Sequence, residues 1–234
     1  MDFSFLSQDM GYLLWGTFPE GAPGGALLTL IISVVSGLCS AALGLLFGVL
    51  LVMLKGWPQR VLVVATEFLR AIPVLMLLFW VHFLLPIGLD WRGPGVFSVM
   101  LALSLVSASY LAHGVAAGIR GIAPQQWDAG MALGMTRWQT LRHIVLPQAL
   151  RIMLPSFVNQ WATLIKDSSL AYIVGVEELS LLATRVNAQI MLHPAEVFLF
   201  VGLVYWVLCS AIDVLAGWLG RKAGASQQIQ EKSG

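Results

Sequence analysis

Among the ionisable residues inside long apolar stretches of the sequence are Glu67, Arg70, Lys166 and Asp167. A charge facing lipid at mid-bilayer costs up to about 3 kcal/mol on insertion scales, so four would approach roughly 12 kcal/mol. These residues are therefore expected to face protein, a neighbouring subunit or a water-filled path. Arg70 follows Glu67 by three positions, which sets both on one helix face within pairing reach. Ser107, Tyr110 and His113 recur every third residue and form a polar row on an otherwise apolar helix, with Ser104 and Ser109 nearby. Two readings of this set stand side by side. In one, Arg70 or Lys166 holds the carboxylate of a passing solute while Asp167, Ser168 and Ser169 meet its ammonium and flanking groups. In the other, the charges pair between helices and the row of hydroxyls makes interhelical hydrogen bonds. Lys166-Asp167-Ser168-Ser169 also reads as a helix interruption, which a membrane tolerates where the freed backbone groups line a cavity.

Other chemistries find no footing in the residues. No Gly-x-x-x-x-Gly-Lys-Ser/Thr is present, so the chain has no loop of that kind to cradle nucleotide phosphates. No His-Glu-x-x-His occurs, and His82, His113, His143 and His193 fall on different spans or loops, so neither a metal site nor a bound cofactor is expected. No basic run tracks a phosphate backbone, which argues against nucleic acid. Cys39 and Cys209 both sit in apolar stretches and read as buried thiols, not as a disulfide.

The elements that must position these groups follow from composition. Hydrophobic residues make up 58% of the 234 positions and charged residues 11%, where a soluble domain carries about 25% charged. Mean hydropathy is +0.83. So few charges cannot clothe a water-soluble fold, and the chain reads as an all-α, polytopic membrane protein. Five stretches reach the length needed to cross a bilayer as helix: 25–54, 61–85, 96–119, 154–179 and 195–219. Residues 1–24 carry no Lys or Arg and so lack the positive head of a cleavable signal; the first apolar segment is expected to be retained. With the N-terminus outside, Lys55, Arg60, Arg120, Arg137, Arg142, Arg151, Arg221, Lys222 and Lys232 share one side and only Arg92 and Arg185 the other. That bias assigns the first side to the cytoplasm, with the C-terminus in. Ser36, Ser40, Gly44 and Gly48 form a small-residue stripe suited to close helix packing. Pro23 with Gly21, Gly24 and Gly25 reads as an exterior turn, and Gly56-Trp57-Pro58 as a tight interior one. The small, polar end of the tail, 223–234, is expected to fray.

Between the third and fourth spans lies a cytoplasmic loop, 123–147, with strong helix signals. Pro124 suits a first helical turn, and Gly134 suits the left-handed residue just past a helix end. Thr136 and Gln139 offer a capping box for a second short helix. Its apolar side is expected to be Trp138, Leu141 and Val145, with Pro147 stopping it. A short helix, a glycine joint and a second amphipathic helix would thus project into the cytoplasm, either to dock another protein or to lie on lipid.

The spacing of this loop resembles that of membrane subunits of bacterial ABC importers, which carry Glu-Ala-Ala, three residues, Gly, nine residues, Ile, one residue, Leu-Pro. Here Asp128-Ala129-Gly130 is followed by Gly134, Ile144 and Leu146-Pro147 at those intervals. Asp keeps the charge of the usual Glu, whereas Gly130 is expected to loosen the first helix by roughly 0.5–1 kcal/mol relative to Ala. The segment from Phe68 to Leu75, with Arg70 and Pro73 as its Arg-x-x-Pro, is similar to the histidine/glutamine-type permeases for polar amino acids. Ile165 to Leu170 is similar to their Lys-Asp-Thr/Ser-Ser-Leu run. Tyr110-Leu111-Ala112-His113 matches a Tyr-x-x-Glu position with His in place of the acid. The run around Arg70-Ala71-Ile72-Pro73, with Phe79-Trp80, looks most like permeases for glutamate and aspartate. The resemblance implies a type I importer fold with five helices and the N-terminus out. It also implies a loop that couples to a separate ATPase, a second permease subunit, an extracytoplasmic solute-binding protein and an amino-acid substrate. A channel or secondary transporter working without an ATPase accounts for the spans and charges but not for the loop spacing.

Overall fold

In a computed structural model the described residues are 4–89, 93–190 and 194–231, with side chains described for 9–88, 93–189 and 194–214. Arg92, His193 and Lys232, used above, lie outside them. Among the described residues the chain is all helical. In order come α1 (Ser4–Trp15), α2 (Gly25–Met53), α3 (Trp57–Ala71) and α4 (Val74–Phe79). A wide π turn (Trp80–Leu84), α5 (Leu85–Leu89) and α6 (Gly95–Arg120) follow. Then come α7 (Pro124–Ala132), α8 (Arg137–Thr140), a second π turn (Leu141–Val145) and α9 (Leu146–Asp167). A 3-10 segment (Ser168–Val174), α10 (Leu179–Ile190) and α11 (Pro194–Glu231) complete the chain.

Helices α2 and α6, and the part of α11 covering Pro194–Val214, are long and apolar enough to cross a membrane. At 1.5 Å per residue the 29 residues of α2 rise about 44 Å, well over a hydrocarbon core of about 30 Å. The expected second span, 61–85, is not one helix. Pro73 disfavours helical backbone at Ile72 and itself adopts ψ 134, so α3 stops at Ala71. Only α3 and the run Val74–Gly88 taken together meet the length of a span. The expected fourth span, 154–179, also differs. Its helix continues from α8 through the π turn into α9 and ends at Asp167, where the backbone tightens into the 3-10 segment. Pro147 does not stop the helix as expected. The Leu146 N–H reaches back five residues to the Leu141 carbonyl, and this wider turn carries the backbone past the proline ring and its missing donor. Pro86 is passed in the same manner, with the Leu85 N–H bonded to the Trp80 carbonyl. The backbone of α11 is helical to Glu231, into the tail expected to fray, its last turns rich in the good helix formers Ala and Gln.

The chain forms two compact units. The first comprises Met1–Cys39, Ile72–Leu105 and Trp161–Ile212. Its core gathers Leu13, Ala26, Leu179, Leu182, Val186 and Val197 from α1, α2, α10 and α11. Within that core sits Glu178, fully buried. Its carboxylate accepts the backbone N–H groups of Ser180 (2.9 Å) and Leu181 (3.0 Å), which are orphan donors at the start of α10. It also accepts the hydroxyls of Tyr205 (2.9 Å) and Thr29 (3.4 Å). One side chain thus ties three helices and offsets the desolvation of its own charge.

The second unit comprises Ser40–Ala71, Val106–Gln160 and Asp213–Gly234. Val49, Val115, Ile119, Leu141, Val145 and Met153 form its larger core, and Leu51, Ala112 and Ala116 a smaller one. The small stripe of α2 packs as expected. A Cβ on Gly44 would meet the Leu111 Cβ at 2.6 Å, and one on Gly48 would meet Val115 at 2.4 Å. The close approach of α2 and α6 therefore requires glycine there. Cys39 and Cys209 are not joined, and Cys39 is exposed, not buried as its apolar surroundings suggest.

Candidate functional site

The second unit carries a jointed protrusion built by α7 and α8. Pro124 opens α7 at its first turn. The helix closes with two bonds, Gly134 N–H to the Met131 carbonyl (2.9 Å) and Met135 N–H to the Gly130 carbonyl (3.1 Å). This is a Schellman closure, and it needs the left-handed residue that Gly134 supplies at φ 78. The chain then enters α8 through the expected capping box. Gln139 N–H donates to Thr136 Oγ1 at 3.3 Å, and Thr136 N–H donates to Gln139 Oε1 at 2.8 Å.

Gly130 is where α7 and α8 touch. It is buried, and a Cβ placed on it would lie 2.5 Å from Thr140 Cγ2 and 2.6 Å from Thr140 Oγ1. The loosening expected of this glycine is thus traded for close contact between two helices. Leu141 and Val145 are fully buried as expected, but Trp138 is 53% exposed and does not share their face. Leu133, at the tip, is 79% exposed. Asp128 lines a cleft of about 300 Å³ with Arg120, Trp127, Met131 and Arg137, and the Arg137 guanidinium lies 5.5 Å over the Trp127 ring. Arg120 donates to the Leu51 carbonyl near the end of α2 (3.4 Å), as does Gln59 (2.9 Å). Gln148 Nε2 on α9 donates to Gln126 Oε1 on α7 at 3.2 Å. Ala129, Ile144, Leu146 and Pro147 complete the loop pattern; Ile144 and Leu146 are half-buried and Pro147 is exposed.

The same unit brings together three of the path residues named from sequence. Arg70 Nη1 donates to Glu67 Oε1 at 3.0 Å, the pairing expected from their spacing. His113 Nε2 lies 3.4 Å from the same carboxylate oxygen and 3.0 Å from Thr66 Oγ1. The Arg70 guanidinium stands 5.1 Å over the Tyr110 ring, and the Tyr110 hydroxyl donates to the Arg70 carbonyl at 3.4 Å. Among the described residues Arg70 Nε has no acceptor. Ser107 accepts from Gln160 Nε2 at 3.0 Å. The cluster thus offers a cation, an anion and an aromatic face, with Glu67 and Tyr110 both exposed. Such a set can bind a small zwitterion through its two charged groups.

The remaining path residues belong to the first unit. Lys166 is exposed and Asp167 half-buried at the end of α9. Ser168 Oγ donates to the Ile165 carbonyl (2.7 Å) and Ser169 Oγ to the Lys166 carbonyl (2.6 Å). Both hydroxyls satisfy carbonyls at the helix end, which is the expected interruption, and both keep lone pairs to accept with. Pro73 is the exposed cap of α4. Sequence reasoning missed Thr66, Gln160 and Glu178. Thr66 directly precedes Glu67 in the sequence, which is the signal that could have found it; Gln160 and Glu178 give no local signal. No three His, Cys, Asp or Glu side chains among the described residues could share a metal.

Apolar helices of spanning length, a charged cluster set among them and a jointed helical protrusion define a membrane transport component. The chain belongs to the family described as binding-protein-dependent transport system inner membrane component, which matches residues 40–224. It is similar to the probable amino-acid ABC transporter permease protein YckA of Bacillus subtilis, at 34% identity over 83% of this chain and 85% of that one. It is 30% identical to the glutamate/aspartate import permease protein GltK of Escherichia coli O6:H1, over 94% of this chain and 97% of that one. The glutamine transport system permease protein GlnP of Escherichia coli K12 is 32% identical over 85% of this chain and 90% of its own. The fold matches a solved amino acid ABC transporter chain with TM-score 0.79 at 24% identity, covering 95% of this chain and 100% of that one.

Proposed function

We propose that this chain is the transmembrane permease subunit of an ATP-binding-cassette importer for polar amino acids, with glutamate and aspartate as its solutes. Residues 25–219 form the permease domain in five spans, 1–24 an extracytoplasmic segment and 220–234 a cytoplasmic tail, in a bacterial inner membrane. The loop 123–147 couples to a separate ATPase subunit that hydrolyses the ATP. A second permease subunit, identical or paralogous, and an extracytoplasmic solute-binding protein complete the transporter. The observation that carries this reading is the protrusion: two short helices closed by a left-handed glycine and locked at Gly130–Thr140, with Leu133 standing exposed at the joint. Likeness to the glutamate/aspartate import permease GltK supports the acidic solutes, while GlnP, equally similar, is named for glutamine.

Arg70, Tyr110, His113 and Ser107 meet the solute, Arg70 through its carboxylate; Lys166, Asp167, Ser168, Ser169 and Pro73 are further contacts on its way. Uptake of labelled glutamate, glutamine and arginine by the complex reconstituted in vesicles tests both levels of the proposal. Glutamate should enter fastest, an ATPase should co-purify, and Arg70→Ala should abolish uptake at unchanged membrane level. Loss of the variant from the membrane would make Arg70 a structural partner of Glu67. A chain that transports with no ATPase attached would sink the importer reading.

A further inference from the structure

A groove of about 480 Å³ runs along the first unit, lined by apolar side chains of α1, α2 and α11, among them Trp15, Ala26, Leu30, Leu203, Val204 and Val207. We propose that it seats one acyl chain of a phospholipid as a bound, not exchanging, lipid.

Three observations favour that occupant. The groove opens onto the exposed apolar faces of α2 and α11, where Leu30, Val34 and Leu38, and Leu199, Leu203 and Trp206, stand uncovered. These are two of the helices able to cross a membrane, so the groove is continuous with the surface that hydrocarbon wets. An apolar hollow excludes water, and left empty it would deprive its lining of dispersion contacts. A flexible methylene chain fills it from three sides, where a flat helix face holds a lipid from one. Among the lining residues is Trp15, 52% exposed. It closes a helix of 12 residues, about 18 Å long and too short to span. An indole there suits the headgroup level, where tryptophan gathers at membrane interfaces. A second copy of the chain fits the groove less well. Helices pack in membranes through small residues, and the small stripe of α2 is already used: Ser36 bonds the Met100 carbonyl within the first unit, and Gly44 and Gly48 meet α6 within the second. The groove wall is mostly Leu, Val and Phe, with Ala26 its one small residue.

The test places a benzophenone amino acid at Leu203 and irradiates the full chain in its own membranes before any detergent is added. A phospholipid-sized adduct is expected; an adduct the size of a second chain would overturn the proposal. In parallel, native mass spectrometry after mild delipidation should find one phospholipid retained by the wild type and by Leu199→Trp, a change on the same helix outside the groove. Leu203→Trp, which fills the groove, should retain none. Equal retention by both variants, or no retained lipid in the wild type, would refute the site.

Discussion

Replacing Gly130 by alanine sets two opposed effects against each other in one buried position. In an isolated helix the change would stabilise α7 by about 1 kcal/mol, because alanine loses less backbone entropy. In this structure the added Cβ lies 2.5 Å from Thr140 Cγ2, 2.6 Å from its Oγ1 and 3.1 Å from its Cβ, where ordinary carbon contacts sit at about 3.5–4.0 Å. Thr140 has little room to yield. It is fully buried, β-branched, and its hydroxyl is bonded to the Thr136 carbonyl at 3.1 Å. Rotating χ1 would exchange one clashing group for another, so α7 and α8 must separate. Overpacking of this kind costs typically about 1–3 kcal/mol, which outweighs the helix gain. Gly130→Ala should therefore destabilise by up to about 2 kcal/mol, read as a lowered thermal midpoint in detergent. Thr140→Ala alone removes a hydrogen bond and packing and should cost about 1 kcal/mol. The double variant keeps the 3.1 Å approach to the Cβ of residue 140 but loses the two closer contacts, and should be more stable than the sum of the single changes, by roughly 1–3 kcal/mol of coupling. If Gly130→Ala by itself raises the midpoint while Thr140 is intact, the helices do not touch there and the reasoning fails.

Gly134→Val forces a β-branched residue into the left-handed conformation at φ 78, a strain of roughly 1–2 kcal/mol. The reconstituted complex should then hydrolyse more ATP per solute imported; an unchanged ratio would count against docking at this joint. Glu178→Ala strips the acceptor from two backbone N–H groups and from the Tyr205 hydroxyl, and should cost about 3 kcal/mol. A thermal midpoint within a degree of wild type would show that these donors find other partners.

What could be read from the residues alone divides by range. Gly134 as a left-handed closure, the Thr136–Gln139 box and the Glu67–Arg70 pair are contests settled within five residues, and each is found as expected. The Ser36–Gly48 stripe is periodic, and periodicity exposes a packing face without naming its partner. Glu178 could not be foreseen, because Thr29 and Tyr205 lie 149 and 27 positions away. Gly130 was read as a weakness of α7 because its reason, Thr140, belongs to another helix. The prolines misled for a related cause. Pro147 breaks a regular ladder, but burial of Leu141 and Val145 favours keeping the helix, and a π turn reconciles the two. Trp138 precedes that buried pair at helical spacing and is nonetheless exposed, because spacing counted along a regular helix does not carry across the π turn at Leu141–Val145.

The same contacts say where the protrusion can bend. At its base Arg120 is tied to the end of α2 through the Leu51 carbonyl, and α7 is held to α9 by Gln126 and Gln148. At its far side α8 passes into α9 with no interruption of the helical path. Between α7 and α8 the Gly130–Thr140 contact leaves no gap to close. A force on the exposed Leu133 therefore meets no loose loop, and motion of the pair would carry α9 with it. In the turn from Leu133 to Met135 a Cβ on Gly134 would meet nothing within 4 Å. The joint at Gly134 is shaped by its left-handed backbone, φ 78. That is why Gly134→Val, which touches no neighbour, should disturb coupling, whereas Gly130→Ala, buried four residues earlier, should first disturb stability.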